Sequence, residues 1–278
     1  MPTDDTLVVA GIQMNVCDGC LYENIGRLYT LTSMVDLKNV DLVALPELWC
    51  CGYPGKYEER LHVDALNAMK DISKRTNALI VGSIPWLSGE NGKVYNRLYI
   101  VYRGRVEAFY DKLHLFRPFR EHILFEPGNK LVTVDYKGFR LGFAICYDLR
   151  FPDIFISYRA NNVDLVVVPS AWGKPRLHQW LSITTAEASI AQLYLLAVNR
   201  TGPSRVGEDF AGHSVLIDAW GDTVARLGFE EGVLLGSVKK SRIMDARNKL
   251  PIYDDRRGSA VYGSISSHEI KEIRWEKK

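Results

Sequence analysis

A chain of 278 residues with 47% hydrophobic and 24% charged side chains is large enough to bury a full core, and its net charge of +2 gives no reason to invoke nucleic acid. The amino terminus, Met1-Pro-Thr-Asp-Asp, is polar and acidic where a signal peptide is basic and then apolar. No apolar run approaches the ~18 residues of a membrane span, so a cytoplasmic protein with no membrane partner is expected.

Short apolar runs alternate with amphipathic stretches, the mark of an α/β fold. In chain order, strands are expected at 7–14, 41–45, 78–84, 98–102, 139–145, 163–168, 194–198 and 214–217. Helices are expected at 23–37, 58–76, 153–160, 177–193 and 241–248, most of them bridging consecutive strands. Between Ile80 and Val134, strands instead follow one another through turns such as Gly89-Glu90-Asn91-Gly92 and Arg103-Gly104, which predicts antiparallel pairs within the sheet. No linker or fixed-period repeat divides the chain, so one domain over 1–278 is expected. Its core spans about 7–262, and the weakly periodic tail from about Pro251 reads as an arm that packs on something else.

Three segments run an apolar strand into a reactive side chain: Asp41-Leu-Val-Ala-Leu-Pro-Glu47, Val106-Glu-Ala-Phe-Tyr-Asp-Lys112 and Phe139-Arg-Leu-Gly-Phe-Ala-Ile-Cys146. Ligands collect beyond the carboxyl ends of strands in α/β sheets, so an acid, a cation and a thiol are candidates to converge. Glu47 then takes the proton of Cys146, and Lys112 stabilises negative charge on a substrate oxygen. A nucleophile on a sharp turn after a strand also leaves the next backbone N–H, that of Tyr147, for an oxyanion. Taken singly, a cysteine after an apolar strand is more often an inert thiol, and a charged residue at a strand end a solvated terminus.

Leu45-Pro46-Glu47-Leu48, Asp111-Lys112-Leu113-His114-Leu115-Phe116 and Ile145-Cys146-Tyr147-Asp148-Leu149-Arg150-Phe151-Pro152 resemble, in order and spacing, the signatures of the nitrilase superfamily of carbon–nitrogen hydrolases. The likeness continues through Glu121–Gly128, Val168–Trp172, and Gly212-His213-Ser214 to Trp220-Gly221. It implies a four-layer α-β-β-α sandwich, paired as a homodimer or higher homo-oligomer. It also implies Glu47 as base, Cys146 as nucleophile, Lys112 and the Tyr147 N–H as oxyanion stabilisers, and Glu121 as a second glutamate supporting the lysine. No metal or organic cofactor is required. True nitrilases tend to carry Trp-Glu after the cysteine; Tyr147-Asp148 is more similar to the amidases, including the ω-amidases of α-keto acid amides. The expected reaction is hydrolysis of a small amide to acid and ammonia through a Cys146 thioester. The alternatives are a nitrilase or an N-carbamoyl-amino-acid hydrolase.

Tyr53, Trp172 and Arg117 are candidates to contact substrate, and Arg120, Lys174 and Arg176 offer further charge for a substrate carboxylate. The helix Thr184–Gln192 lacks the Arg-Ala-x-Glu-Asn pattern of many relatives, and Ala219 stands where a proline is frequent. Cys17-Asp-Gly-Cys20 is a CxxC motif that suits a disulfide or, less well, half a zinc site, and uninvolved thiols are the default reading for it and for Cys50-Cys51. A rival of another class is a thiol redox or peroxide-sensing protein that uses Cys146 with Cys17 and Cys20, but it gives Glu47 and Lys112 no role.

Overall fold

Burial with a period of two builds the first sheet. In β1 (Thr6–Gln13), β2 (Leu42–Ala44), β3 (Leu79–Leu87) and β4 (Val94–Tyr102), the side chains of Leu7, Val9, Leu42, Ala44, Leu79, Val81, Leu98 and Ile100 join one buried cluster. Their neighbours Ala10, Ile12, Val43, Ile80, Tyr99 and Val101 join another, as alternation along a pleated strand requires. The structure, a computed structural model, describes residues 5–53, 57, 59–89 and 92–257.

The first cluster faces a second sheet made of β6 (Thr133–Tyr136), β7 (Phe139–Phe143), β8 (Leu165–Ser170), β9 (Tyr194–Asn199), β12 (Val215–Ile217) and β13 (Thr223–Arg226). The other cluster faces α1 (Leu21–Ser33) and α2 (Glu59–Thr76), whose Ala65, Ala68, Met69 and Ile72 fall on one stripe at helical spacing. On the far side α4 (Pro152–Ala160) and α5 (Leu177–Ala191) cover the second sheet through Ile154, Phe155, Tyr158, Trp180, Ala188 and Ala191. The layers are therefore α-β-β-α, as expected. At Gly11 a Cβ would lie 2.9 Å from Val198 Cγ2, so a larger residue there would push the two sheets apart.

The first sheet has the order β14-β1-β2-β3-β4-β5, with β5 at Arg105–Asp111 and β14 at Gly232–Lys239. The second runs β13-β12-β9-β8-β7-β6. Strands β1, β2 and β3 are parallel, as are β7, β8 and β9, with α1, α2, α4 and α5 as crossovers. The antiparallel pairs fall where the turn signals place them, β3 on β4 and β4 on β5, and the second pair closes through Arg103 and Gly104, both at positive φ. Because β4 reverses direction, β5 runs with β2 and β3 and its carboxyl end reaches the same edge.

The expected helix 23–37 ends at Ser33, and a separate 3₁₀ turn, Leu37–Asn39, follows with Asp36 accepting from Lys38 N. The expected strand 139–145 ends at Phe143, so that Ala144 and Ile145 lead into a turn. Five strands were not anticipated as elements of their own: β6, β13, β14, and the pair β10 (Thr201–Gly202) and β11 (Phe210–Ala211), which form a short ribbon. The remaining α-helices are the short α3 (Glu121–Leu124), which follows β5, and α6 (Lys240–Lys249) with the short α7 (Ile252–Asp255), which follow β14. The part of the expected arm beyond residue 257 lies outside the described residues, as do Glu90 and Asn91 of the first turn.

Candidate active site

Three strands deliver their reactive residues to one edge, as sequence order predicts. β2 runs through Leu45 and Pro46 to Glu47, β5 ends one residue before Lys112, and β7 leads through Ala144 and Ile145 to Cys146. Glu47 and Glu121 are fully buried, Lys112 is 1% exposed and Cys146 is 7% exposed.

The Lys112 ammonium donates to Glu47 Oε1 at 2.6 Å and to Glu121 Oε1 at 2.8 Å. Glu47 is fixed further by Asn96 Nδ2, which donates to Oε1 at 2.8 Å, and by the Ala171 N–H, which donates to Oε2 at 3.0 Å. Glu121 accepts from the Tyr53 hydroxyl at 2.9 Å and from Phe116 N at 2.7 Å. Three buried charges thus share six hydrogen bonds, the condition under which buried ions are tolerated.

Cys146 begins a five-residue 3₁₀ turn, Cys146–Arg150, with φ of 45°, a left-handed conformation that costs an L-residue about 1–2 kcal/mol. Asp148 holds that turn. Its buried carboxylate accepts from Ile145 N at 2.9 Å, the Tyr110 hydroxyl at 2.8 Å and His114 N at 2.9 Å, and His114 Nδ1 lies 2.8 Å from the same oxygen. The turn's own bonding starts with Asp148 N donating to Ile145 O at 3.0 Å, so the Tyr147 N–H stands ahead of the first turn bond. Leu48, after Glu47, is likewise left-handed at φ 47°, with its N–H donating to Ser83 Oγ at 2.9 Å.

Burial alone lowers the Lys112 pKa, but Glu121 and Glu47 outweigh it and hold the ammonium charged well past its ordinary range. Burial raises the Glu121 pKa, and the Lys112 charge offsets only part of that. The Cys146 thiol is pushed well up, first by burial and then by Glu47, with Lys112 and the Ala171 backbone pulling the other way. Two carboxylates against one ammonium leave a surplus negative charge that opposes a resting thiolate.

A small pocket opens over the thiol, lined by Phe116, Cys146, Tyr147, Arg150, Ala171, Trp172, Gly173 and Arg176. Of the sequence candidates for substrate contact, Trp172 lines this pocket. Tyr53 is 5% exposed and is engaged with Glu121 rather than lining that pocket. Arg117 is exposed at the start of a 3₁₀ turn and is absent from the lining, as are Arg120 and Lys174. The lining cations are Arg150, inside the Cys146 signature, and Arg176.

The model of the carbon-nitrogen hydrolase family matches residues 8–248. The chain belongs to the carbon–nitrogen hydrolase family. This hydrolase is 30% identical over 255 residues to a 2-oxoglutaramate amidase of Bacillus subtilis, covering 90% of this chain and 97% of that one. It is 33% identical over 218 residues to the omega-amidase YafV of Escherichia coli K12, covering 77% and 84% of the two chains. Among solved structures, a CN-hydrolase superfamily protein of Xanthomonas campestris with an arsenic adduct in its active site superposes with a TM-score of 0.81 at 25% identity, over 91% of this chain and 98% of that one. Both of these relatives are named as amidases, which favours amide hydrolysis over a nitrilase, an N-carbamoyl-amino-acid hydrolase or a Cys146-based redox protein.

Sequence reasoning missed Asn96 and the role of Asp148. Asn96 carried no signal beyond a polar residue in an apolar strand. Asp148 lay inside a quoted motif, but its three partners, Tyr110, His114 and Ile145, come from β5, the segment after it and the start of the turn. The default of uninvolved thiols fails for Cys17 and Cys20, which are joined in a disulfide; Cys50 and Cys51 are buried thiols.

Proposed function

We propose that this hydrolase cleaves small linear amides that carry a carboxylate away from the scissile bond, with Cys146 as nucleophile. The observation that carries the mechanism is the buried Glu47–Lys112–Glu121 network set against a thiol on a left-handed turn. Since burial and the surplus negative charge oppose a resting thiolate, Glu47 takes the Cys146 proton as the sulfur attacks the amide carbonyl. Lys112 Nζ and the Tyr147 N–H meet the charge that develops on the carbonyl oxygen. Glu47 returns the proton to the leaving nitrogen, ammonia departs and a thioester remains. A water deprotonated by Glu47 then attacks the thioester, the acid leaves, and the thiol recovers its proton. Glu121 keeps the ammonium aimed at the oxyanion position.

Arg150 supports the carboxylate preference. Its guanidinium lies 4.5 Å from the Trp172 ring centroid and donates to Gln179 Oε1 at 2.6 Å, and no ion pair engages it among the described residues. Arg176 is instead paired with Glu208, and Trp172 Nε1 donates to the Arg176 carbonyl at 2.9 Å. A pocket with one uncompensated guanidinium suits an anionic group on the substrate, and the relative named for 2-oxoglutaramate acts on such an amide. A homodimer is part of this reading, and sedimentation at twice the 31.5 kDa chain mass is its test.

The activity test is ammonia release from ω-amides of keto acids, neutral short amides, N-carbamoyl amino acids and nitriles, with wild type beside Cys146→Ala. Release from the carboxylate-bearing amides by wild type alone is expected. Equal release by Cys146→Ala, or a preference for neutral amides, would overturn the reading.

A further inference from the structure

The Cys17–Cys20 disulfide encloses a residue that is wired to the active site. Asp18, between the two sulfurs, is 5% exposed. Its carboxylate accepts from Tyr53 N at 3.2 Å and Arg200 Nη1 at 2.8 Å through Oδ1, and from Arg205 N at 2.7 Å through Oδ2. The adjacent Gly19 N–H donates to Cys51 O at 2.8 Å, so the short loop grips the 48–53 segment at two points. The fit is tight: a Cβ on Gly52, at φ 56°, would lie 1.8 Å from Asp18 Oδ1. Tyr53 then spans from this clamp to Glu121, where its hydroxyl donates at 2.9 Å to the carboxylate that holds Lys112.

The disulfide is also reachable. A cleft of about 700 Å³ on the surface is lined by Asn15, Cys17, Asp18, Glu23, Arg27 and Arg205 among others, so a small thiol has access to Cys17. Cys20 is the N-cap of the 13-residue helix α1, where backbone N–H groups favour a negative sulfur. Cys17 and Cys20 are both half-buried, whereas Cys50 and Cys51 are enclosed in the core beneath α1 and α2 and present no comparable surface.

We propose that Cys17–Cys20 is a redox-active site, opened and closed by exchange with a dithiol, and that Asp18 carries its state through Tyr53 and Glu121 to Lys112. A thiolate of the dithiol attacks Cys17 Sγ, the S–S bond breaks, and Cys20 leaves as a thiolate at the head of α1. The second thiol of the reductant displaces Cys17 from the mixed disulfide. Two electrons pass from the dithiol, which becomes a disulfide, and Cys17 and Cys20 take up its two protons. Opening the ring frees the Asp18–Gly19 backbone, loosens the grip on Tyr53 and lets the Glu121–Lys112 pair drift from its working position. Cys146 takes no part in the exchange.

The kinetic consequence rests on the proposed amidase reading, and the test separates the two. Wild-type protein is equilibrated in mixtures of reduced and oxidised dithiothreitol, alkylated, and mapped by peptide mass; the same samples are assayed for ammonia release and for amide hydrogen exchange over 48–53. Cys17 and Cys20 are expected to gain label together and reversibly, exchange at Gly52 and Tyr53 to speed up, and kcat to fall about tenfold, the scale of a small misplacement of a catalytic group. Cys17→Ser/Cys20→Ser, checked for an intact fold by circular dichroism, is expected to hold the low kcat at every ratio. A disulfide that opens only when the protein unfolds would overturn the proposal. So would one that opens with exchange over 48–53 unchanged, and that readout stands even if no amide in the panel is turned over.

Discussion

Two buried charge clusters lie on either side of Tyr53, and they differ in what they leave over. Around Lys112, two carboxylates meet one ammonium beside a thiol, and a pocket opens over that thiol. Around Arg200, one carboxylate meets one guanidinium, whose Nη2 also donates to the carbonyls of Val16 and Pro203. Both clusters are almost wholly buried, so burial of an ion pair does not mark a catalytic centre. A surplus charge and a nucleophile on a left-handed turn do.

Substitutions at the two clusters should separate chemistry from stability. Cys146→Ala is expected to lower kcat by about 10⁴-fold or more with modest change in melting temperature, whereas Lys112→Met, which removes one oxyanion donor and leaves Glu47 and Glu121 buried without their cation, should lower kcat by about 10²–10³-fold and also cost about 3–5 kcal/mol of stability. Arg200→Met leaves Asp18 buried without its cation and is expected to cost about 3–5 kcal/mol of stability in denaturant unfolding. Turnover by its folded fraction should keep the wild-type pH profile. A large stability loss in Cys146→Ala, or a changed profile in Arg200→Met, would erase the distinction.

The pocket sharpens the same contrast. Arg150→Met should raise KM for carboxylate-bearing amides about 10–100-fold, as removal of a charged hydrogen-bond donor does, and leave neutral amides nearly unchanged. An equal loss on both would make Arg150 a support for the Cys146 turn instead of a substrate ligand. The acid limb of kcat/KM is a further probe. Burial raises the Glu121 pKa, so on lowering pH this carboxyl protonates before an ordinary one and releases Lys112. Activity should therefore decline at a pH above the usual carboxylate range, and Glu121→Gln should be slower and lack that limb.

The smallest effect concerns Glu187 on α5, whose carboxyl is pushed by burial from 4.5 up to about 7. The folded state holds this proton between those values while the unfolded chain has lost it, so stability falls as pH rises from about 4.5 to 7. Glu187→Gln should raise the melting temperature by about 2–4 °C at pH 8 and by less at pH 5, measured by calorimetry.

The central strands were legible because each carries its burial code in its own residues: Leu7, Val9, Leu42 and Ala44 alternate with polar or outward-facing apolar neighbours. The three reactive positions were legible because each ends such a strand. β14 was not, since its Gly232–Lys239 segment is a sheet edge with mixed burial, steadied by pairing along the whole of β1. Arg150 outranks Arg117 in the pocket because the 3₁₀ turn at Cys146 swings its side chain over Trp172, a geometry set by Asp148 and its partners from β5 and the segment after it. The Asp18–Arg200 pair joins residues 182 positions apart, and neither has a local pattern to announce the other.

The covalent step is the core of the account, and intact-protein mass spectrometry of acid-quenched turnover tests it most directly. With a good ω-amide substrate, an adduct equal to the substrate acyl group is expected, carried by the peptide containing Cys146 and absent in Cys146→Ala. Turnover with no adduct at any quench time, or an adduct on another residue, would contradict it.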